Sequence, residues 1–297
     1  MSDVMKRILI ALFAMAVLAE SDVANAETKQ VQFEGPVRLK QALNAIEKQG
    51  LLADVYWPAV RLVKTDEAAE LERKKQNMLL QLAELEAYWR GRRETDKADA
   101  ALILQGQIKG WQLGQQYWGH ISIEQARQNL ADNPLLPEGS YSLVLPERPK
   151  HIYVYGLVSK PGKYEFYTGK TVANWLNSIE EQSDLLDGHN KNIATVVSVD
   201  DEQPANWAYY KQSDTELMPG NILWLGFEPN QLPPKYKSLN DDIRGLLKHF
   251  VADTSVRSAT NAPVYQVNAA PTSEWHWSRR DLSPSYNDYG SVGLLQN

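Results

Sequence analysis

The sequence predicts an α+β protein made of two similar units in tandem, with a helical hairpin inserted in the first unit. Short apolar strands of alternating pattern recur in both halves of the chain and are separated by turns rich in glycine and proline. The strand that follows Gly139 resembles the strand that follows Gly220, which indicates an internal duplication. Within the first half, about fifty residues show helical periodicity instead.

The second unit, residues 150–230, shows the strand pattern most clearly. Ile152 and Val154 alternate with tyrosines as in a half-buried strand, and Pro161-Gly162 turns the chain into a second strand. The elements expected next are a helix capped by Thr171 and reaching residue 179, and strands within 194–199 and 217–227. Two hairpin-like strand pieces around one helix predict a β-grasp.

The first unit, residues 27–149, repeats this theme. A strand containing Val31 and Phe33 leads to a turn at Gly35-Pro36, and a helix follows that ends at Gly50. The apolar face of this helix consists of Leu39, Leu43 and Ile46. A short strand over residues 60–63 comes next, so this unit is also expected to be a β-grasp.

The insertion in the first unit, residues 65–114, reads as two helices joined by a turn within 90–97. Apolar side chains at helical spacing line one face of each helix, namely Leu71, Met78, Leu82, Leu85 and Trp89 in the first and Ala101, Leu104, Ile108 and Trp111 in the second. We expect the two faces to pack on each other and on the first unit. The charged run over residues 70–75 is interpreted as a solvated face.

Several short motifs resemble a known family. A G-x-V-x-x-P-G segment, a helix that begins at a threonine and a Pro-Gly-Asn before an apolar strand resemble the SLBB type of β-grasp. The segments LWLGF, LPPKY and LNDDI, residues 223–227, 232–236 and 239–243, are similar to those of the GfcC family of group 4 capsule biosynthesis proteins. This resemblance extends over about residues 27–251.

The resemblance implies a periplasmic accessory protein in the assembly or export of capsule or exopolysaccharide. Such a protein would bind polysaccharide or the outer-membrane export proteins of the same pathway. Similar modules form rings in Wza-type exporters, whereas this pair of units is expected to be a monomer. The alternative is an enzyme of the same pathway that modifies the polysaccharide.

The resemblance also indicates ligand-binding candidates. Relatives carry an arginine after a Thr-Gly pair at the end of the hairpin, but this chain has Lys109 and Gly110 followed by Trp111. An indole cannot hold an anionic group as a guanidinium does, so Lys109 is a substitute candidate for that charge. Arg127 matches a second arginine of the family, and Trp57 lies in the family's Trp-Pro segment. The four ligand-binding candidates are therefore Lys109, Trp111, Arg127 and Trp57. Each of them can also be interpreted as an ordinary surface or core side chain.

After residue 230, a proline-rich strap and a helix complete the region up to residue 251. The helix is expected from Ser238, with Asp241 completing an approximate capping box. Its apolar stripe consists of Leu239, Ile243, Leu246, Leu247 and Phe250. This stripe can dock on the chain itself, on a membrane or on a partner, and we favour docking on the chain.

Residues 252–297 lose periodicity and are rich in small polar residues, so they are predicted to be a disordered tail. Their last fifteen residues, SPSYNDYGSVGLLQN, resemble the opening segment of GfcD/YjbH-type outer-membrane proteins.

The first 26 residues have the layout of a signal peptide that is cleaved after Ala26, which predicts a periplasmic protein. The chain contains no cysteine, so it forms no disulfide and is not a lipoprotein. Its formal net charge is −6, which disfavours binding to nucleic acid.

No catalytic residue, metal site or cofactor is predicted. The five histidines lack the spacing of metal ligands, and the chain has neither a nucleophile elbow nor a phosphate-binding loop. The acidic residues cannot be assigned to a glycosidase pair from their positions in the sequence.

Overall fold

The computed structural model of the chain describes residues 28–118, 121–182, 184–253 and 264–267. In chain order the elements are β1 (Thr28–Arg38), α1 (Leu39–Lys48), β2 (Arg61–Lys64), α2 (Ala68–Gly91), α3 (Thr95–Gly110), β3 (Trp111–Leu113), β4 (Gln115–Trp118), α4 (Ile123–Gln128), β5 (Leu135–Pro146), β6 (His151–Gly156), β7 (Gly162–Glu165), α5 (Val172–Glu181), β8 (Ile193–Val197), β9 (Glu202–Asn206), β10 (Ile222–Leu225), α6 (Leu239–Leu247), β11 (Phe250–Asp253) and β12 (Val264–Gln266). The predicted α+β class is confirmed.

The first unit is a five-stranded sheet with strand order β12-β1-β5-β2-β4. The long strands β1 and β5 are antiparallel, and helices α1 and α4 pack on each other beside them. Alternation places Val31 and Phe33 of β1 in the core beneath α1, whose buried face includes Leu39, Leu43 and Ile46 as predicted.

Strand β1 bends where the sequence predicts a turn. The Gly35-Pro36 peptide bond is cis, and the register with β5 shifts between Gly35 and Val37. A Cβ atom on Gly35 would lie 2.0 Å from the carbonyl oxygen of Pro137, so this close approach of two strands requires glycine. The turn therefore bends one continuous strand and does not start a hairpin.

The second unit is a five-stranded sheet with strand order β7-β6-β10-β8-β9. Strands β6 and β7 form the predicted antiparallel hairpin, and β10 lies parallel to β6 in the centre of the sheet. Helix α5 covers one face, and the Thr171 side chain caps it by accepting a hydrogen bond from the Asn174 amide at 3.3 Å. The helix and its cap lie where the sequence predicts them.

The two sheets differ in the direction of their closing strands. β5 runs antiparallel to β1, whereas β10 runs parallel to β6. The similar strands after Gly139 and Gly220 therefore pair differently with the strand that opens each unit.

The inserted segment forms the predicted helical hairpin, α2 and α3, with its turn over residues 92–94. All the apolar side chains expected on α2 are buried, as are Ala101, Leu104 and Ile108 on α3. Trp111, expected on the second helix, lies just beyond it as the first residue of β3.

The expected docking of the hairpin on the first unit is wrong. The hairpin shares its core with the second sheet, on the face opposite α5. Ile222 and Trp224 of β10 face the hairpin, whereas Leu223 and Leu225 face α5. Because both faces of this central strand are apolar, the sheet can bury a helical layer on each side.

A buried glutamine joins the hairpin to the second sheet. Gln107 of α3 donates a hydrogen bond to the Gly156 carbonyl oxygen at 2.7 Å and accepts one from the Gly156 amide at 3.0 Å. The pairing of β6 with β7 ends at Val154, so the Gly156 amide lies beyond the end of the neighbouring strand. The side chain of Gln107 replaces the missing strand partner.

Helix α6 follows the strap and packs on α2 of the hairpin. Leu239, Ile243, Leu246 and Leu247 are buried in the core that the hairpin shares with the second sheet. Phe250 is buried there too, but it begins strand β11 and is not helical. The predicted capping box is wrong, because the Ser238 hydroxyl donates to Asp242 and does not accept a backbone N–H.

The prediction of a disordered tail is wrong for its described residues. Residues 252 and 253 belong to β11, which pairs with β3. Residues 264–266 form β12, which pairs in parallel with β1, and Val267 is buried in the core of the first unit. The predicted signal peptide and the final fifteen-residue segment lie outside the described residues.

Candidate functional site

A cleft of about 450 Å³ lies between the base of the hairpin and the open face of the first sheet. Strands β1 and β5 form its floor, and β3 and the first turns of α2 form its walls. Its lining residues are Gln30, Gln32, Val63, Thr65, Glu72, Lys75, Trp111, Gln112, Leu113, Gly114, Ser142, Val144 and Val251. We call it the β3 cleft.

Neutral hydrogen-bonding side chains dominate the polar part of this lining. Three are the amides of Gln30, Gln32 and Gln112, and two are the hydroxyls of Thr65 and Ser142. Amides and hydroxyls both donate and accept hydrogen bonds, which suits a ligand that carries many hydroxyl groups. Such a lining can orient a sugar without binding a fixed charge.

Trp111 contributes to the wall of the β3 cleft from within the core. Trp111 is only 1% exposed. Its ring packs edge-on against the rings of Tyr155 and Phe250, with distances between ring centroids of 5.5 Å and 6.2 Å. The buried indole N–H has no hydrogen-bond partner among the described residues. With these neighbours the indole presents little open face for stacking on a sugar.

A lysine of α2 supplies a positive charge next to Trp111. Lys75 is only 8% exposed, and its ammonium group donates a hydrogen bond to the Trp111 carbonyl oxygen at 2.8 Å. The carboxylate of Glu72 lies 4.0 Å away. The cleft thus has a buried cation beside the residue that matches the family's arginine, but this cation comes from another element.

The interpretation of residues 70–75 as a solvated face is therefore wrong for Lys75. A signal for its burial was present in the sequence, because Lys75 lies four residues after Leu71 and three before Met78. This spacing places it on the apolar stripe of α2. Its long apolar stem suits burial while the ammonium group finds a carbonyl partner.

The other three candidate side chains are placed elsewhere. Lys109 is exposed in the last turn of α3, where a cation is favoured by the helix dipole. Arg127 of α4 forms an ion pair with Glu47, and Trp57 is half-buried against the core of the first unit. The structure does not gather the four candidates into one site, and their binding roles stay predictions.

A second cleft of similar size, about 440 Å³, lies between α2 and α6. Its lining includes Lys74, Asp241, Asp242 and His249. The β3 cleft is lined by two charged residues, Lys75 and Glu72, against five neutral amides and hydroxyls, whereas this cleft is lined by three charged residues, so it is less suited to a neutral, hydroxyl-rich ligand.

Two of the motifs that carry the family resemblance meet in the structure. The Asn240 side chain accepts a hydrogen bond from the Phe227 amide at 2.9 Å and donates one to the Phe227 carbonyl oxygen at 2.8 Å. Asn240 belongs to the LNDDI segment and Phe227 ends the LWLGF segment. These bonds fix the start of α6 against the end of β10.

An ionic cluster fixes the other end of α6. The carboxylate of Glu202 on β9 accepts hydrogen bonds from Arg244 at 3.1 Å and Lys248 at 2.9 Å. Burial alone would raise the pKa of Glu202, but the hydrogen bonds and charges of these two cations outweigh it and lower the pKa below its ordinary value. Helix α6 is therefore held to the second unit by polar contacts as well as by its apolar face.

Within the described ranges, no group of three histidine or acidic residues is arranged to hold a metal ion. Among the helices that the structure describes, none is both long enough and apolar enough to cross a bilayer.

Comparison with known proteins identifies related sequences over most of the chain. The family model described as capsule biosynthesis GfcC, N-terminal matches residues 18–148, and the model described as capsule biosynthesis GfcC C-terminal matches residues 160–252. The uncharacterized protein YjbG of Escherichia coli strain K12 is 31% identical over 198 residues, which cover 66% of this chain and 76% of YjbG.

Proposed function

Because this chain belongs to the GfcC family of capsule biosynthesis proteins, we propose that it is a periplasmic accessory protein in the assembly or export of capsule or exopolysaccharide. It acts as a monomer, without catalysing a reaction, by binding the polysaccharide or the outer-membrane proteins that export it. The β3 cleft is the observation that carries the polysaccharide-binding part of this proposal.

The finer architecture belongs to the same proposal. The two units are β-grasp modules of the SLBB type. The second sheet supports this assignment, because a hairpin opens it, a helix follows, and the last strand lies in the centre parallel to the first. The first unit then exposes one face of its sheet, and both units expose loops that can contact a polymer or a partner.

Helix α6 is the C-terminal amphipathic helix of this architecture and acts as an intramolecular latch. Its buried leucines occupy a surface of the second unit and hairpin that could otherwise join a neighbouring copy. A latched surface favours a monomer that works beside an export ring over a subunit that builds one.

The polysaccharide-binding role follows from the size and chemistry of the β3 cleft. Its volume of about 450 Å³ lies within the roughly 300–1,000 Å³ of typical ligand sites. Gln30 of β1 and Gln112 of β3 both line the cleft and offer amide groups to a ligand. Polymer hydroxyls that replace water at these amides gain directional hydrogen bonds.

Two measurements test the proposal. Deletion of the gene should reduce the polysaccharide at the cell surface, and the purified full chain should bind polysaccharide isolated from the same cells. In a double variant, Gln30→Leu with Gln112→Leu, we expect binding to weaken about tenfold, because each lost hydrogen bond contributes about 0.5–1.5 kcal/mol.

Gln128→Leu is the matched control, since Gln128 is exposed at the end of α4 and lies outside the lining of the β3 cleft. Unchanged surface polysaccharide in the deletion strain would refute the role in the pathway. Equal binding by the double variant and the control would show that the β3 cleft is not the polysaccharide site.

A further inference from the structure

A small cleft of about 110 Å³ separates the two units. Arg61 of β2 lines it from the first unit, and His151 and Tyr153 of β6 line it from the second. Phe250 of β11 and Pro149 of the linker complete the apolar part of the wall. We call it the inter-unit cleft. None of its lining residues was a ligand-binding candidate in the sequence, and Phe250 was expected there only as part of the apolar stripe of a helix.

The guanidinium group of Arg61 makes few and long hydrogen bonds. One terminal nitrogen, Nη1, lies 3.5 Å from the side-chain oxygen of Gln116 and 3.5 Å from the Lys248 carbonyl oxygen. A guanidinium has five N–H donors in a planar fork. In the described part of the chain, no carboxylate forms an ion pair with Arg61 within 4.0 Å.

Burial in the inter-unit cleft affects the pKa of Arg61. It lowers the pKa of Arg61 to about 10, and the nearby Tyr153 offsets only part of this shift. The residue as a whole is half-buried. Among the described residues this partly desolvated cation has no ion-pair partner to compensate the cost of its burial.

His151 supplies a second group of suitable chemistry. Burial and the neighbouring Lys163 lower the pKa of His151 to about 4, so the imidazole is neutral at pH 7. A neutral imidazole has one N–H donor. The one acidic residue in this lining, Glu147, is half-buried and lies at the linker end of the cleft.

We propose that the inter-unit cleft binds a carboxylate group of an acidic sugar, with the Arg61 guanidinium as its partner. Arginine suits this task because its planar fork matches the two oxygens of a carboxylate. His151 lies on the opposite wall as a further donor. The inference rests on the proposed polysaccharide-binding function and names the sugar class, a uronic acid.

The dimensions of the cleft agree with this ligand. A cavity needs a volume of roughly 10–15 Å³ for the centre of one water molecule. A cleft of about 110 Å³ therefore accommodates a carboxylate group with the adjoining carbons. The remainder of a sugar ring would lie at the mouth of the cleft. There Pro149 provides apolar surface for the ring.

The test titrates the full chain with sodium glucuronate, with glucose and with inorganic phosphate, and follows heat and the His151 ring resonances. Glucuronate should bind and shift the His151 resonances, and glucose should not. Phosphate, which an arginine fork can also bind but which has no ring to contact Pro149, should bind more weakly. In Arg61→Gln the affinity for glucuronate should fall about tenfold or more, because a hydrogen bond to a charged group contributes about 1.5–3 kcal/mol.

Arg148→Gln is the matched control. Arg148 is exposed on the same linker as Pro149 and lies outside the lining, and its removal changes the net charge equally. Its variant should bind glucuronate like the original protein. Without ligand, Arg61→Gln should unfold at the same or a higher temperature, because it removes a buried charge.

Several results would overturn the inference. One is that Arg61→Gln and the original protein bind glucuronate with the same affinity. Another is that Arg148→Gln weakens glucuronate binding as much as Arg61→Gln does. A third is that glucose or phosphate binds the original protein as tightly as glucuronate does. If Arg61→Gln does not fold, Arg61→Lys takes its place, and unchanged affinity in that variant would overturn the bidentate contact. Polysaccharide that still binds at the β3 cleft after such a result would leave the proposed function standing.

Discussion

The contact between Gln107 and Gly156 gives the sharpest test of how the hairpin is attached. Gln107 is 4% exposed and bonds both backbone groups of Gly156. In Gln107→Leu the side chain keeps about the same volume, so the change removes the hydrogen bonds and leaves little cavity. The destabilisation then reports on the freed backbone groups.

The size of the destabilisation in Gln107→Leu depends on which backbone groups of Gly156 lose their hydrogen-bond partners. The Gly156 carbonyl oxygen still accepts a hydrogen bond from the Val158 amide at 2.8 Å, so its loss is small. The Gly156 amide becomes a buried donor without a partner, which costs about 1–3 kcal/mol. We expect a loss of about 2 kcal/mol, which lowers the midpoint of thermal unfolding by roughly 4–8 °C.

The assay is thermal unfolding followed by circular dichroism, together with hydrogen exchange of the Gly156 amide. Gln105→Leu is the matched control on the same helix. Gln105 is half-buried and donates a single hydrogen bond to the Leu79 carbonyl oxygen at 2.9 Å, within the hairpin itself. Its loss should cost less than about 1 kcal/mol. Equal destabilisation of both variants, or slow exchange at Gly156 in Gln107→Leu, would refute the reasoning.

Two further predictions concern α6. Leu247→Asp should lower the unfolding midpoint strongly or cause self-association, because Leu247 is fully buried and an aspartate there costs about 3 kcal/mol or more. Leu80→Asp is its control, at 65% exposure, and equal stability of both variants would contradict the latch. Glu202 has a lowered pKa in the folded protein, so its contacts stabilise the fold above pH 4.5 and weaken as pH falls further. Glu202→Gln should therefore be less stable than the original protein at pH 7, with the difference shrinking in acid; a difference that grows in acid would contradict this sign.

The positions of most helices and of the main strands could be predicted from the sequence. The period-two pattern around Ile152 and the helical stripe of α2 predicted strands and helices at nearly the observed positions, because each element must bury one face. The capping threonine of α5 and the bend at Gly35-Pro36 followed from the chemistry of single residues. The candidate site was predicted only in part, since Trp111 lies in the wall of the β3 cleft and Lys75 was assigned to a solvated face.

Contacts between segments that are distant in the sequence could not be predicted in the same way. Asn240 and Phe227 stood in two recognised motifs, but nothing in either motif states that the amide of one would bind the backbone of the other. The strand at residues 264–266 is too short to give a periodic signal, and its pairing with β1 depends on an available sheet edge.

The sequence by itself determined most of the apolar faces that are buried, the positions of most of the helices and of the main strands, and the family to which the chain belongs. These properties depend on periodicity, turn chemistry and motif order, which act over a few residues at a time. Only the tertiary structure decided that the hairpin packs on the second sheet, that Lys75 is buried beside Trp111 and that Arg61 faces the second unit. The physical reason is that an apolar stripe specifies burial without specifying its partner, since hydrophobic contact is non-directional. Shape, strand pairing and buried polar bonds such as that of Gln107 select the partner, and they exist only when the whole chain is folded.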